Sequence, residues 1–314
     1  MRDGETLRSP RAVAGESWTK NAMAILDPDS WKPVEIYKMR ERDGLPRASC
    51  ASMGYEDIRI FRTVRGGFQG IAASLHLWRG DRARNRLAEQ VLLSFDAEYN
   101  VVQARPIRGA LWAGLSQKNW VPFDGCLEPH FIYSIGEGKL FDVYGPVESS
   151  KSGVETGPFV HPTLPEPDEQ TRRKARRRAA ESLEALDVEE AKWSKDKSND
   201  GPGSFSVRDA CKDLRGGTQL VRVGAEGWLG IGHKMKITNR KKLYWHVWYL
   251  VDAHGRVTAA SLPMKLSPNR IEFAAGMGVE GDRVVVSFGV DDMECKIGET
   301  RLSAVLESLQ KIGD

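Results

Sequence analysis

Leu243-Tyr244-Trp245-His246-Val247-Trp248-Tyr249-Leu250-Val251 is followed by Asp252-Ala253-His254-Gly255 and then by Arg256-Val257-Thr258-Ala259-Ala260-Ser261. The first run is rich in aromatic and β-branched residues, the second string is polar and ends in glycine, and the third returns to β-prone residues. This is the grammar of an antiparallel hairpin. It recurs at Ile58 to Val64, Arg65-Gly66-Gly67 and Phe68 to Trp78, and at Phe131 to Ile135, Gly136 to Gly138 and Lys139 to Tyr144. Between these runs few windows place apolar residues at i, i+3, i+4 and i+7, so the crossover helices of a parallel α/β sheet are missing. The expected fold class is all-β, and these residues alone leave a sandwich, a barrel and a propeller open.

Two segments depart from the pattern. Leu302, Val305, Leu306 and Leu309 lie on one face of a helix expected to close against the last sheet. Pro167 to Lys197 carries a basic block, Arg172 to Arg178, and then an acidic one, Glu181 to Glu190. It reads as a solvated helix between Pro-rich and Gly/Ser-rich linkers, or as a docking arm for an acidic partner. The expected organisation is an N-terminal extension (1–18), a first β part (19–150), a charged, partly helical insertion (151–205), and a second β part with the C-terminal helix (206–314).

With 46 Lys+Arg against 43 Asp+Glu among 314 residues, the net charge of +3 gives no ground for nucleic acid or anionic lipid as a partner. Hydrophobic residues make up 40% of the chain, which excludes a wholly disordered polymer. Met1 to Trp18 contains no apolar run of signal-peptide type, and no stretch approaches the roughly 18 apolar residues of a membrane span, so a cytoplasmic location is expected. Cys50, Cys126, Cys211 and Cys295 lack paired C-x-x-C spacing and read as free thiols. No ligand cluster calls for a metal or other cofactor.

Polar residues concentrate in four strings: Gly54-Tyr55-Glu56-Asp57-Ile58-Arg59, Lys118-Asn119-Trp120-Val121-Pro122-Phe123, Gly227-Trp228-Leu229-Gly230-Ile231-Gly232-His233, and Ser287-Phe288-Gly289-Val290-Asp291-Asp292. If strand ends converge on one axis, these groups meet around a small ligand, and carboxylate, Lys, His and Trp together suit a sugar. An aromatic face packs on a pyranose, carboxylate and amide bind hydroxyls, and Lys with His neutralises a phosphate leaving group. Each also has a plainer meaning. Asp57 and Arg59 could form a surface ion pair, Trp120 could be core, and His233 could sit in a turn. Glu272, between Ile271 and Phe273, needs a partner if buried. His246 shares a strand face with Tyr244. Gly136-Glu137-Gly138 and Gly230-Ile231-Gly232 read as turns rather than phosphate loops, and no G-x-S-x-G, H-E-x-x-H or Walker motif is present.

Glu56-Asp57-Ile58-Arg59 resembles the E-D-P-R motif of glycoside hydrolase family 130, the β-mannoside phosphorylases and hydrolases, and of the related β-1,2-mannosyltransferases. Lys118-Asn119-Trp120 resembles their K-N-W, Gly227-Trp228-Leu229 to His233 their G-W-L-x-x-x-H, and Phe288 to Asp292 their Y-G-x-x-D, in the same order. The similarity extends to Gly216-Gly217-Thr218, Ser261 to Met264 and Ile271-Glu272-Phe273, as in bacterial relatives associated with glycosyltransferase modules. It implies a five-bladed β-propeller acting with inversion. Asp57 would be the general acid, reaching the glycosidic oxygen through a sugar hydroxyl, or the base in synthesis. Lys118 and His233 would contact phosphate, and Asp292 would bind sugar hydroxyls.

Ile58 stands where the family has proline, and Gly232 where its phosphorylases have tyrosine. The expectation is therefore an inverting glycosyltransferase that moves a mannose-like sugar from a nucleotide-sugar or sugar-phosphate donor to a glycan acceptor, with a glycosyltransferase as possible partner. Asp57 would be catalytic. Glu56, Arg59, Lys118, Asn119, Trp120, His233, His246, Glu272, Asp291 and Asp292 would bind substrate. A β-mannoside phosphorylase or hydrolase is the first alternative and a non-catalytic glycan-binding propeller the second.

Overall fold

The structure, a computed structural model, describes residues 21–40, 55–64, 67–77, 86–107, 119–135, 139–142, 145–146, 211, 214–238, 241–267, 271–291 and 293–312. The insertion at 151–205, the N-terminal extension, Cys50 and the Gly136 to Gly138 turn lie outside them. The described residues are mostly β-strand, arranged in separate antiparallel sheets with one short helix. None of their helices is long and apolar enough to cross a membrane.

The first sheet pairs β1 (Ala22–Leu26) with β2 (Pro33–Lys38). The second runs in order through β3 (Tyr55–Arg62), β4 (Phe68–Leu77), β5 (Arg86–Phe95) and β6 (Val101–Pro106). The third does the same with β7 (Val121–Pro122), β8 (His130–Ser134), β9 (Lys139–Asp142) and β10 (Gly145–Pro146). In the fourth, β11 (Arg215–Gly216) and β12 (Val221–Val223) pair with opposite ends of β13 (Gly227–Thr238), followed by β14 (Lys241–Val251) and β15 (Val257–Ala260). The fifth is β16 (Glu272–Glu280), β17 (Arg283–Val290) and β18 (Glu294–Arg301). Helix α1 (Leu302–Ser308) then leads to β19 (Gln310–Lys311), which returns to pair with β15.

The expected hairpins are β3–β4, β8–β9 and β14–β15. In the last, Asp252 N–H donates to the Arg256 carbonyl and Gly255 takes φ +73°, the left-handed conformation glycine adopts without cost. One expectation is corrected: Gly230-Ile231-Gly232 and His233 lie in the interior of β13, not in turns. Gly232 is there because a Cβ would lie 2.7 Å from Leu214 Cγ and 2.9 Å from the Arg215 carbonyl. The glycines admit a close neighbouring strand.

The continuous apolar character of the middle strands has a geometric cause. Side chains alternate between the two faces of a strand, and each middle sheet has a core on both. Along β14, Val247, Tyr249 and Val251 enter a cluster with Val121, Phe123, Ile132 and Leu220, whereas Trp248 and Leu250 enter another with Ala274, Val284, Val286 and Val290. In the second sheet, Ile71 and Leu92 face Trp120 and Phe131, while Ala72, Val91 and Leu93 face Tyr55 and Val101. Val305 of α1 is buried in the cluster of the fifth sheet, with Leu302, Leu306 and Leu309 packed against it, as the helical spacing predicts.

Polar contacts join the sheets in chain order. Asn21 Nδ2 donates to the Tyr55 carbonyl at 3.0 Å, linking the first two. The Arg62 backbone N–H and guanidinium both donate to the Asp124 carboxylate, linking the second and third. Leu220 N–H donates to the Pro122 carbonyl at 2.8 Å, linking the third and fourth. The Gln219 amide accepts from Met277 N–H and donates to its carbonyl, linking the fourth and fifth. Finally, Arg283 donates to the carbonyls of Pro28 and Asp29 and covers the Trp31 ring at 4.9 Å, so the fifth sheet meets the first.

Candidate active site

Asp57 owes its position to a β-bulge. Glu56 pairs with Ala73 and Arg59 with Ile71, so Asp57 and Ile58 together oppose the single residue Ala72. By parity Asp57 belongs to the buried row of Tyr55, Arg59 and Phe61, yet it is exposed and has φ +54°. Left-handed backbone is tolerated by Asp and Asn better than by most residues, but it still costs on the order of 1 kcal/mol. The carboxylate thus turned outward makes no hydrogen bond among the described residues. Glu56, beside it, is half-buried.

Arg59, two residues on, is 2% exposed and no surface ion pair. Its Nε donates to the Gly217 carbonyl, Nη1 to the Asp57 carbonyl at 3.2 Å, and Nη2 to Asn119 Oδ1 at 3.2 Å and the Gly216 carbonyl at 3.3 Å. The guanidinium lies 5.7 Å from the centre of the Phe273 ring. Burial lowers its pKa to about 10, opposed by attraction to Asp57 and then Tyr249. Elements of four sheets therefore meet at one side chain.

Gly216 and Gly217 make this convergence possible. A Cβ on Gly216 would stand 2.2 Å from the Asn119 carbonyl, and one on Gly217 would stand 2.5 Å from that of Ile231. Thr218 fixes the strand beyond: its N–H donates to the Ile231 carbonyl, and its hydroxyl accepts from Ile231 N–H at 3.1 Å.

Arg215, His233, His246 and Met264 form a cross-strand row, since each pairs in register with the next. His233 is buried, packed 4.9 Å edge-on to Phe273 and 5.8 Å from Tyr244, and its Nδ1 has no hydrogen-bond partner. Burial, then His246, Arg59 and Arg215, lower its pKa to about 3, against a hydrogen bond to the Gly216 backbone. With its pKa lowered this far, the imidazole is uncharged at neutral pH.

His246 and Glu272 are buried neighbours. Ala274 N–H donates to His246 Nε2 at 3.2 Å, and His246 Nδ1 lies 3.5 Å from Glu272 Oε1 without a hydrogen bond among the described residues. Glu272 accepts from the backbone N–H groups of Leu266, at 2.9 Å, and Ser267. The buried glutamate has the partners its burial requires.

The structure thus brings Asp57, Arg59, Asn119 and His233 together, whereas Trp120, His246 and Glu272 have no exposed surface. Trp120 instead packs with Phe61, Ile71, Leu92 and Phe131. Asn119 (φ +65°) and Asp291 (φ +53°) share the left-handed conformation of Asp57. Asp291 closes the end of the fifth sheet, accepting from Ile271 N–H at 2.9 Å. Lys118 and Asp292 lie outside the described residues. Phe273 and exposed Arg215 escaped the sequence reading, although one follows Glu272 and the other precedes the double glycine. Cys126 and Cys211 are buried free thiols, held by burial up to about 12 and about 11 and hence unreactive, while Cys295 is exposed.

No family model and no curated protein matches the chain. Among solved structures it is similar to the β-1,2-mannobiose phosphorylase from Listeria innocua, at 13% identity and a TM-score of 0.46 over 83% of this chain and 62% of that one. It is similar also to a glycosyl hydrolase from Bacteroides ovatus, at 10% identity and 0.46 over 86% and 70% of the two chains. A third similar structure is described with the family 130 mannoside phosphorylases and the glycoside hydrolases among them that target β-1,2-mannosidic linkages in Candida mannan, at 10% identity and 0.45 over 85% and 70%. The family resembled by the motifs is represented among these structures. The chain spans about three fifths of the Listeria enzyme's length.

Proposed function

We propose that this chain is a five-bladed β-propeller enzyme that cleaves β-mannosidic linkages by phosphorolysis or hydrolysis, with Asp57 as its general acid. The propeller reading is supported by the sheet-to-sheet contacts, which run in chain order and return from the fifth sheet to the first, and by the meeting of inner strands at Arg59. Residues 19–150 and 206–314 would supply the blades.

The observation that carries the catalytic role is the exposed carboxylate of Asp57, which has no hydrogen bond among the described residues and is held in a bulge whose backbone conformation costs energy. Such a cost persists where the surroundings impose it, characteristically at functional sites. In the reaction an oxygen of phosphate or water attacks C1 opposite the leaving group, the glycosidic C1–O bond breaks, and the Asp57 proton passes to the leaving oxygen, directly or through a sugar hydroxyl; an attacking water gives its surplus proton to solvent, and solvent reprotonates Asp57. With His233 uncharged and Arg59 committed internally, anion binding falls to exposed Arg215 and to Lys118. Asn119 and Asp292 are the proposed contacts to sugar hydroxyls. Cleavage replaces the transfer from a nucleotide-sugar or sugar-phosphate donor expected from the sequence, in keeping with the names of the similar structures.

The test is mass spectrometry of products from β-linked mannobiose with and without phosphate, beside an arm with GDP-mannose and mannose. Mannose 1-phosphate formed only with phosphate identifies a phosphorylase, and mannose formed without it a hydrolase. Product from GDP-mannose alone, or from no substrate, overturns the proposal.

A further inference from the structure

We infer that Arg59 is the positioning residue of this site: its guanidinium, plugged into a cradle of carbonyl oxygens, holds Asp57 and Asn119 in their left-handed conformations. The catalytic half of this inference rests on the proposed role of Asp57. The sequence places Arg59 among the substrate-binding residues, and its geometry contradicts that placement. A guanidinium has five N–H donors. Four of them are spent inside the protein, on the carbonyls of Gly217, Asp57 and Gly216 and on Asn119 Oδ1. Phe273 lies beside the guanidinium, and 2% exposure leaves no fork for a phosphate.

The cradle is built from backbone. Gly216 and Gly217 bring their carbonyls within reach because neither has a Cβ to collide with Asn119 or Ile231. Into this cradle a single cation draws residues from three sheets. Five non-glycine residues among the described ones have positive φ, namely Trp31, Asp57, Tyr99, Asn119 and Asp291, and Arg59 bonds two of them. Left-handed conformations at such residues persist when other contacts over-determine them, and here one guanidinium is a shared contact of both. Its loss would release the bulge and let the Asp57 carboxylate drift. A displacement on the order of 1 Å is enough to cost about 100-fold in rate.

Arg59→Ala and Arg59→Lys test this, each assayed for turnover of β-linked mannobiose and for thermal melting without sugar. Guanidinium chloride at millimolar concentration serves as the probe, urea as its uncharged control, and wild type as the reference. Arg59→Ala is expected to lose about 100-fold in kcat with KM changed less than about threefold, the pattern of a misplaced reacting group. Guanidinium, but not urea, should raise both its melting temperature and its kcat, the latter by about tenfold or more, by refilling the cradle. Arg59→Lys keeps the charge without the fork and should remain impaired.

A wild-type kcat in Arg59→Lys overturns the inference. So does a defect confined to the KM for phosphate, or an Arg59→Ala protein indifferent to guanidinium in both readouts. If Arg59→Ala fails to fold, Arg59→Lys decides. If wild type cleaves no mannoside, the proposed function falls and the positioning role with it, while the melting response of Arg59→Ala still shows whether the clamp exists.

Discussion

Asp57 and Asp291 have nearly the same backbone conformation, φ +54° and +53°, and put it to different uses. Asp291 follows the end of β17 and accepts from Ile271 N–H at its Oδ1, while its own N–H donates to the Ile271 carbonyl. Its conformation serves to seal a sheet end. Asp57 sits inside a strand, its backbone carbonyl is the group that is held, and its carboxylate makes no hydrogen bond among the described residues. The pair teaches that a left-handed aspartate is not a functional sign by itself. What the carboxylate is spent on separates a structural residue from a reactive one.

Removing the proton at each position should separate them most widely. Asp57→Asn is expected to lower turnover by about 1,000-fold with the melting temperature nearly unchanged, while Asp291→Asn should keep turnover within about threefold. Steady-state kinetics beside thermal melting reads both, and equal losses would erase the distinction.

The surroundings of Asp57 should also dominate the acid response. His233 has its pKa lowered to about 3 in the folded protein, against 6.5 ordinarily, so between these values the unfolded chain binds a proton that the folded one refuses. Stability conferred by the uncharged ring is complete above about pH 6.5 and is lost as pH falls toward 3, with a slope of up to about 1.4 kcal/mol per pH unit from this group. Urea titrations across that range should show the slope, and His233→Gln should flatten it. An unchanged slope would place the acid sensitivity elsewhere, away from the Asp57 side of the comparison.

Smaller effects sharpen the contrast. Asp291→Ala removes the acceptor for Ile271 N–H and should cost about 1 kcal/mol or somewhat more in denaturant unfolding. Asp57→Gly should do the opposite, raising stability by up to about 1 kcal/mol as the left-handed strain is relieved, while abolishing turnover. A destabilised Asp57→Gly would mean that the bulge draws its stability from the aspartate side chain.

Much of the fold was legible because hairpin grammar is local. The β14–β15 turn and the apolar face of α1 are written in adjacent residues. The interior position of Gly230 to His233 was not, because two glycines read locally as a turn, and their reason, Leu214 and the Arg215 carbonyl packed against β13, comes from a different strand. For the candidate site, the motif order pointed to Asp57 and to its neighbours Arg59 and Asn119. Their contacts were hidden. A sequence does not say that a guanidinium has spent four of its five donors, that Trp120 is enclosed by Phe61, Ile71, Leu92 and Phe131, or that Glu272 is occupied by two backbone N–H groups. That Phe273 lies beside Arg59 and His233 becomes visible only once β16 is laid beside β3.

The most direct test of Asp57 as the proton donor varies the leaving group. Wild type and Asp57→Asn should be compared on β-linked mannobiose, whose leaving alcohol needs a proton, and on 2,4-dinitrophenyl β-mannoside, whose leaving phenolate does not. A loss of about 1,000-fold on the first with less than about tenfold on the second is the result expected of a general acid. An equal loss on both substrates, or none on either, would contradict that role.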